Sequence, residues 1–305
     1  VTSLLQILAV LSAMTSGIIV GIAVVLSRFI LTEGTPETLA LLRYAIGVLC
    51  MLPIAIFSYR MRFQLKDILP IAILGTFQFA ILILLLNHSL NFISAARAAL
   101  IFSTLPLQTM IIAFLLGKER LRPQKIIGIG MTFMGLTIAE WPNLTGSLAG
   151  QDHWIGVLLA ASSALCGALC SIYYKPYVNR YPTTSVSTFA MFASVVFLFF
   201  YTLPSDVFWQ IANYSDDIWL AIIAVGISSA IGYFTWLWSL KHISATTVTM
   251  FLCLGPVTAA ILGAAFLAEP VTLSFVSGLI VVIVGLVTAL SSKGNNNFQS
   301  KIPVD

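Results

Sequence analysis

The chain has 305 residues, of which 59% are hydrophobic and only 9% charged, and its mean hydropathy is +1.01. Water-soluble domains carry roughly a quarter of charged residues, and disordered chains need low hydropathy, so both classes are excluded and the bilayer is the solvent that fits. A net charge of +4 without any long basic run gives no footprint for nucleic acid, and no nucleic-acid partner is expected.

Ten apolar segments follow in chain order. They are Leu4–Ile30, Pro36–Phe57, Ile68–Leu90, Ala95–Leu116, Gln124–Ala139, Trp154–Tyr174, Ser185–Leu203, Ile218–Leu240, Ala245–Leu267 and Thr272–Ser291. A membrane barrel would show alternating segments of about ten residues. These runs are continuous and about twice as long, and backbone groups in lipid must be satisfied internally, so each predicts a helix. The fifth is near the lower limit for spanning. The first is read as a retained helix rather than a signal peptide. The polar tail Lys293–Asp305, with its Gly294-Asn295-Asn296-Asn297 run, reads as a disordered end. The expected fold is an all-α integral membrane protein with ten transmembrane helices.

With the N-terminus in the cytoplasm, twelve of the 15 basic residues fall in inner loops or the inner tail: Arg60, Arg62, Lys66, Lys118, Arg120, Arg122, Lys125, Lys175, Arg180, Lys241, Lys293 and Lys301. The outer loops carry Glu33, Asp152, Asp206, Asp216 and Asp217. The positive-inside rule therefore predicts both termini inside. Cys50, Cys166, Cys170 and Cys253 all sit in apolar stretches without metal-like spacing, and packing is their expected role.

Sliding the chain on itself by 150 residues aligns Ser89-Leu90 with Ser239-Leu240 and Ile93-Ser94-Ala95 with Ile243-Ser244-Ala245. Without a gap it also aligns Pro106 with Pro256, Glu119 with Glu269, Gly128 with Gly278, and Gly135-Leu136 with Gly285-Leu286. Two halves of five helices enter the membrane from opposite faces, because five is odd. That is an inverted repeat, a plan shared by many secondary transporters.

The spacing Ile-Ser-Ala, Pro, Glu, Gly, Gly resembles the EamA domain, two of which in tandem define a branch of the drug/metabolite transporter superfamily. The resemblance is strongest over Ser89–Ala139 and Ser239–Ala289. It implies repeats at residues 1–140 and 154–291, a tail at 292–305, and pseudo-twofold symmetry in the membrane plane. It also implies export or exchange of small metabolites, often amino acids.

Several residues are candidates for the work. Pro106 and Pro256 each remove a backbone hydrogen bond mid-helix and free a carbonyl one turn earlier, at Phe102 and Leu252, for substrate or gating; the alternative is a packing kink. Arg97, Thr104 and Gln108 share one face of the fourth helix, and Arg97 would grip a carboxylate, snorkel, or pair with Glu33 or Glu37. Arg43 is a second buried cation, read as half of a structural pair. The third helix offers Gln78, Asn87 and His88, with His88 as a candidate gate or an interface residue. The eighth carries Tyr233, Trp236 and Trp238, an aromatic wall for a partly apolar substrate or an interface belt. Glu119 and Glu269, at helix ends, suit capping or contacts between repeats. Lys175 reads as an anchor at the inner face.

No acid lies centrally in a helix, no phosphate-binding loop is present, and no metal set or nucleophile with its base is evident. No cofactor or metal is expected, and no enzyme activity. The leading expectation is a secondary transporter. Its central cavity would be lined by helices three, four, eight and nine, with one and six nearby, and would open to each side alternately. Its partners are a small-molecule substrate and membrane lipid, with the chain as monomer or homodimer. A nucleotide-sugar or other phosphorylated-metabolite carrier is the alternative; a lipid translocator and a membrane-embedded enzyme fit less well. A bacterial inner membrane is the simplest location.

Overall fold

The computed structural model describes residues 2–57, 63–117, 123–145, 151–203, 211, 213–243 and 245–291. Glu119, the basic residues Arg60, Arg62, Lys118, Arg120 and Arg122, Asp206, and the tail with Lys293 and Lys301 lie outside them. Among the described residues the regular structure is entirely helical.

Helix α1 spans Thr2–Ile30 and α2 spans Pro36–Phe57. Helix α3 is continuous over Leu65–Ser89, with a π-helical stretch at Thr76–Ile81. Helix α4 covers Ala95–Leu115 but is interrupted after Phe102 and restarts at Leu105. Helices α5 (Pro123–Thr145) and α6 (Gln151–Tyr173) follow, then a short helix at Lys175–Arg180. Helices α7 and α8 span Thr183–Thr202 and Asp216–His242. Helix α9 comes in three pieces, Ala245–Met250, a 3-10 turn at Phe251–Cys253, and Leu254–Leu267. Helix α10 is Leu273–Ser291.

Among the described residues eight helices, α1–α4 and α6–α9, are long and apolar enough to cross a membrane. The expectation was ten. Helices α5 and α10 carry shorter apolar stretches, Ile126–Ala139 and Leu273–Thr288. At 1.5 Å per residue these reach only about 21 and 24 Å, short of the roughly 30 Å hydrocarbon core.

The surface is lipid-like. Leu65, Leu115, Phe266 and Leu273 are at least three-quarters exposed, as expected where hydrocarbon replaces water around the bundle. Hydroxyls within helices are spent locally: Thr109, Thr202 and Thr258 each donate to the carbonyl four residues earlier. Helix ends are held by charge and caps. Asp216 and Asp217 open α8 while Lys241 and His242 close it, each at the favourable end of the helix dipole. At the start of α4, Ser94 Oγ accepts from Arg97 N and Glu269 Oε1 accepts from Ala95 N. Glu269 is thus a cap supplied from the far end of the sequence.

Helix α1 packs on α8 and α9, α6 packs on α3 and α4, α2 packs on α7 and α8, and α3 packs on α7. Helices α5 and α10 form a pair of their own. A methyl at Gly135 would meet Gly278 O at 2.7 Å, and one at Gly278 would meet Gly135 O at 2.5 Å, so this pair touches backbone to backbone. Successive helices alternate in direction. One end of the bundle gathers Glu33, Glu37, His88, Ser215 and Glu269; the other gathers Asp67, Arg180 and Tyr181.

Candidate functional site

A cavity of about 100 Å³ lies inside the bundle, and its lining comes from α1, α2, α3, α4, α6, α8 and α9. Helix α1 contributes a face bounded by Ser16 and Ser27, eleven residues apart and so only about 20° around the helix from each other. Helix α2 contributes Arg43 and Tyr44, α3 contributes Gln78, Phe79 and Asn87, and α8 contributes Ser229, Tyr233 and Trp236. Helices α4 and α9 reach it with Phe102 and Leu252, at the two interruptions.

The aromatic residues form a continuous wall. Tyr44 meets Phe79 edge-on at 4.9 Å, Phe79 meets Tyr233 at 4.2 Å, and Tyr233 stacks on Trp236 at 5.4 Å. Tyr174, fully buried just past the end of α6, packs edge-on against both Tyr233 and Trp236.

Arg43 is 8% exposed and is the one charged residue among the described residues of the lining. Its Nε donates to Ser229 Oγ at 2.5 Å, and that hydroxyl donates onward to Val225 O at 2.5 Å. Its Cζ sits 5.4 Å from the Tyr44 ring centre, within cation–π range. The structural ion pair expected for Arg43 is not found: among the described residues the bridges are Arg28–Glu269, His88–Glu37 and Arg180–Asp67. Ser27 Oγ, Gln78 Oε1 and Tyr233 Oη, on residues that line this cavity, are buried without a hydrogen-bond partner among the described residues.

The Asp67 end is crosslinked by hydrogen bonds. Asp67 Oδ2 accepts from Arg180 Nη1 at 2.7 Å and from Tyr181 Oη at 2.5 Å. Tyr181 Oη also accepts from Gln64 N, and Phe63 packs between Tyr181 and Phe189. This joins the start of α3 to the connection between α6 and α7. The Glu37 end has His88 Nε2 at 3.0 Å from Glu37 Oε1, Asn87 Nδ2 donating to Pro36 O, and Arg28 donating to Leu90 O.

Of the residues singled out from sequence, Gln78, Tyr233 and Trp236 meet in the cavity, joined by Asn87 and Ser229. Arg97, Thr104 and Gln108 are not part of its lining. Gln108 Nε2 donates to Thr104 Oγ1 and to Ala161 O, which turns that stripe toward α6. His88 lies on the Glu37 pair outside the lining, and Trp238 packs over His242. Pro106 and Pro256 do not kink continuous helices: each sits in the first turn of a restarted one, where a missing N–H leaves nothing unpaired. Lys175 opens the short helix rather than ending α6. Sequence reading passed over Ser16 and Ser27, although their spacing on one face of α1 was a usable signal.

Two stretches, residues 7–140 and 154–291, match the model of the EamA-like transporter family. An uncharacterized transporter of Archaeoglobus fulgidus is 27% identical over 255 residues, covering 83% of this chain and 87% of that protein. The uncharacterized transporter YyaM of Bacillus subtilis is 25% identical over 270 residues, 87% of each chain. A biotin transporter of Salmonella typhimurium is 24% identical over 216 residues, 68% of each. A solved crystal structure superposes with a TM-score of 0.67 at 20% identity, covering 93% of this chain and 96% of the other.

Proposed function

The chain belongs to the EamA-like transporter family, and from that premise we propose that it is an integral membrane carrier of small carboxylated metabolites, working by alternating access. The observation that carries this reading is one cavity lined from both matched stretches, with Arg43 and Gln78 from the first and Ser229, Tyr233 and Trp236 from the second.

In this reading all ten helices cross the membrane as two inverted halves. Shifting each helix by five exchanges the packing pairs: α1–α8 becomes α6–α3, α1–α9 becomes α6–α4, and α2–α8 becomes α7–α3, while α2–α7 and α5–α10 map onto themselves. The short helices α5 and α10, packed backbone to backbone through glycines, cross as one unit in this reading. The Asp67 end faces the cytoplasm of a bacterial inner membrane, in line with the basic loops, and the Asp67–Arg180–Tyr181 tie is its closed gate. Export or exchange is the direction expected from the family.

A single lining cation matches one carboxylate better than the two charges of a nucleotide sugar, which makes the phosphorylated-metabolite reading second. The relative named for biotin, itself a carboxylate with an apolar chain, points the same way.

The test is ligand-dependent thermal stability of the purified protein against amino acids, carboxylates, amines and nucleotide sugars, followed by counterflow of any hit in proteoliposomes. Binding to the native state raises the melting midpoint by mass action. Carboxylated hits that also exchange across the bilayer are expected. Hits confined to nucleotide sugars would transfer the function to the second reading, and hits that never cross the bilayer would remove transport.

A further inference from the structure

We infer that the cavity selects a net monoanion, a carboxylate carried on a flat apolar body and lacking a cationic amine, with Arg43 as its anchor; this rests on the carrier reading above.

The Arg43 guanidinium has five N–H donors, and among the described residues Nε alone has a hydrogen-bond partner, Ser229. Ser229 passes its own proton to Val225 O, so its oxygen is fixed as the acceptor that orients the guanidinium edge. Arg43 lines the cavity, and no carboxylate stands within ion-pair range of it among the described residues. A cation held in a low-dielectric interior without a counter-charge is costly, and a bound carboxylate supplies that charge in the two-pronged geometry guanidinium favours.

Ser27 Oγ on α1 and Gln78 Oε1 on α3, with Tyr233 Oη on α8, are buried polar atoms on lining residues that have no partner among the described residues. Ser27 has a proton to donate to a carboxylate oxygen. Gln78 Oε1 accepts, and so suits a neutral O–H or N–H on the ligand. The ring wall Tyr44, Phe79, Tyr233 and Trp236 begins at the residue next to Arg43. It offers a flat apolar body a face to lie on. An ammonium group finds no acid among the described lining residues and would sit in the field of Arg43. A zwitterion therefore loses to the same molecule without its amine.

The experiment uses the full chain, in lipid nanodiscs for melting and in proteoliposomes for counterflow, and four probes sharing one phenyl body: 3-phenylpropionate, 3-phenylpropionamide, phenylalanine and phenethylamine. Melting midpoints and competition against counterflow of a reconstituted hit are read for each. Phenylpropionate is expected to stabilise and compete, the amide and amine to do neither, and phenylalanine to be weaker than phenylpropionate. Arg43→Gln should weaken phenylpropionate about 30-fold, the worth of one charge-assisted hydrogen-bonded contact, while Arg43→Lys recovers part of it. Equal binding of acid and amide, preference for phenylalanine or the amine, or no effect of phenylpropionate at millimolar concentration overturns the inference. So does Arg97→Gln abolishing acid preference while Arg43→Gln keeps it. If Arg43→Gln fails to fold, the four-probe series on the unaltered protein decides alone. Transport of other library members with phenylpropionate inactive would sink this inference and leave the carrier reading intact; transport of nothing would sink the carrier reading.

Discussion

Helix α1 meets the interruption of α9 backbone to backbone, whereas α6 meets the interruption of α4 through a leucine. The contacts occupy matched positions in the two halves. Gly17 on α1 corresponds to Gly167 on α6 at the 150-residue offset, and Leu105 on α4 corresponds to Gly255 on α9. A methyl added at Gly17 would run into the carbonyl of Phe251, which cannot rotate away. One added at Gly167 would meet Leu105 Cδ1 at 2.5 Å and Leu82 Cδ1 at 3.1 Å, the ends of side chains that can change rotamer. The same crossing is stiff on one side of the molecule and yielding on the other. Sequence symmetry does not guarantee mechanical symmetry: matched glycines meet a backbone carbonyl in one half and leucine side chains in the other.

Three alanine substitutions sharpen this contrast, read as melting midpoints under one detergent condition. Gly17→Ala should be the most damaging, at about 3 kcal/mol, because relief requires moving one helix off another. Gly167→Ala should cost about 1 kcal/mol or less, since Leu105 can rotate and alanine improves helix propensity. Gly255→Ala should be neutral or stabilising by about 0.5 kcal/mol: its new methyl has only ordinary contacts, the nearest Gly17 O at 3.6 Å, and the unfolded chain loses freedom. Equal losses for Gly17→Ala and Gly167→Ala would erase the distinction between stiff and yielding joints.

Much of the architecture was legible because helices in lipid must announce themselves as long apolar runs; α2 begins at Pro36 and α4 at Ala95, as the sequence indicates. Part of the site was legible too. Tyr233 and Trp236 are large, sit mid-helix and share a face, and they meet in the cavity with Gln78. The stripe Arg97, Thr104 and Gln108 shows the limit. Spacing says which residues align, not which neighbour they face, and α4 is 72% buried over its apolar window, so each of its faces has protein beside it. A buried cation such as Arg43 is expected to have a structural partner. Only the packing of α2 against α8, which brings Ser229 to it, reveals the different arrangement. The prolines were visible, but a helix that stops and restarts looks the same in sequence as one that bends.

The π-helical stretch of α3 has a consequence for how that helix is numbered around its axis. Cavity contacts along it fall at Gln78 and Phe79, Leu82 and Ile83, Leu86 and Asn87, then Leu90, a strict repeat of four. An α-helix advances about 100° per residue, so that repeat would slip by about 40° each turn and by about 120° between Gln78 and Leu90. Wider i→i+5 turns at Thr76–Ile81 wind more slowly and absorb part of the slip. Position along α3 therefore does not translate into angle by one constant, and the two sides of the stretch run on different clocks. A single residue lost there is absorbed as the stretch closes to ordinary i→i+4 turns, whereas one lost just after Leu82 rotates every cavity-facing side chain up to Leu90 by about 100°.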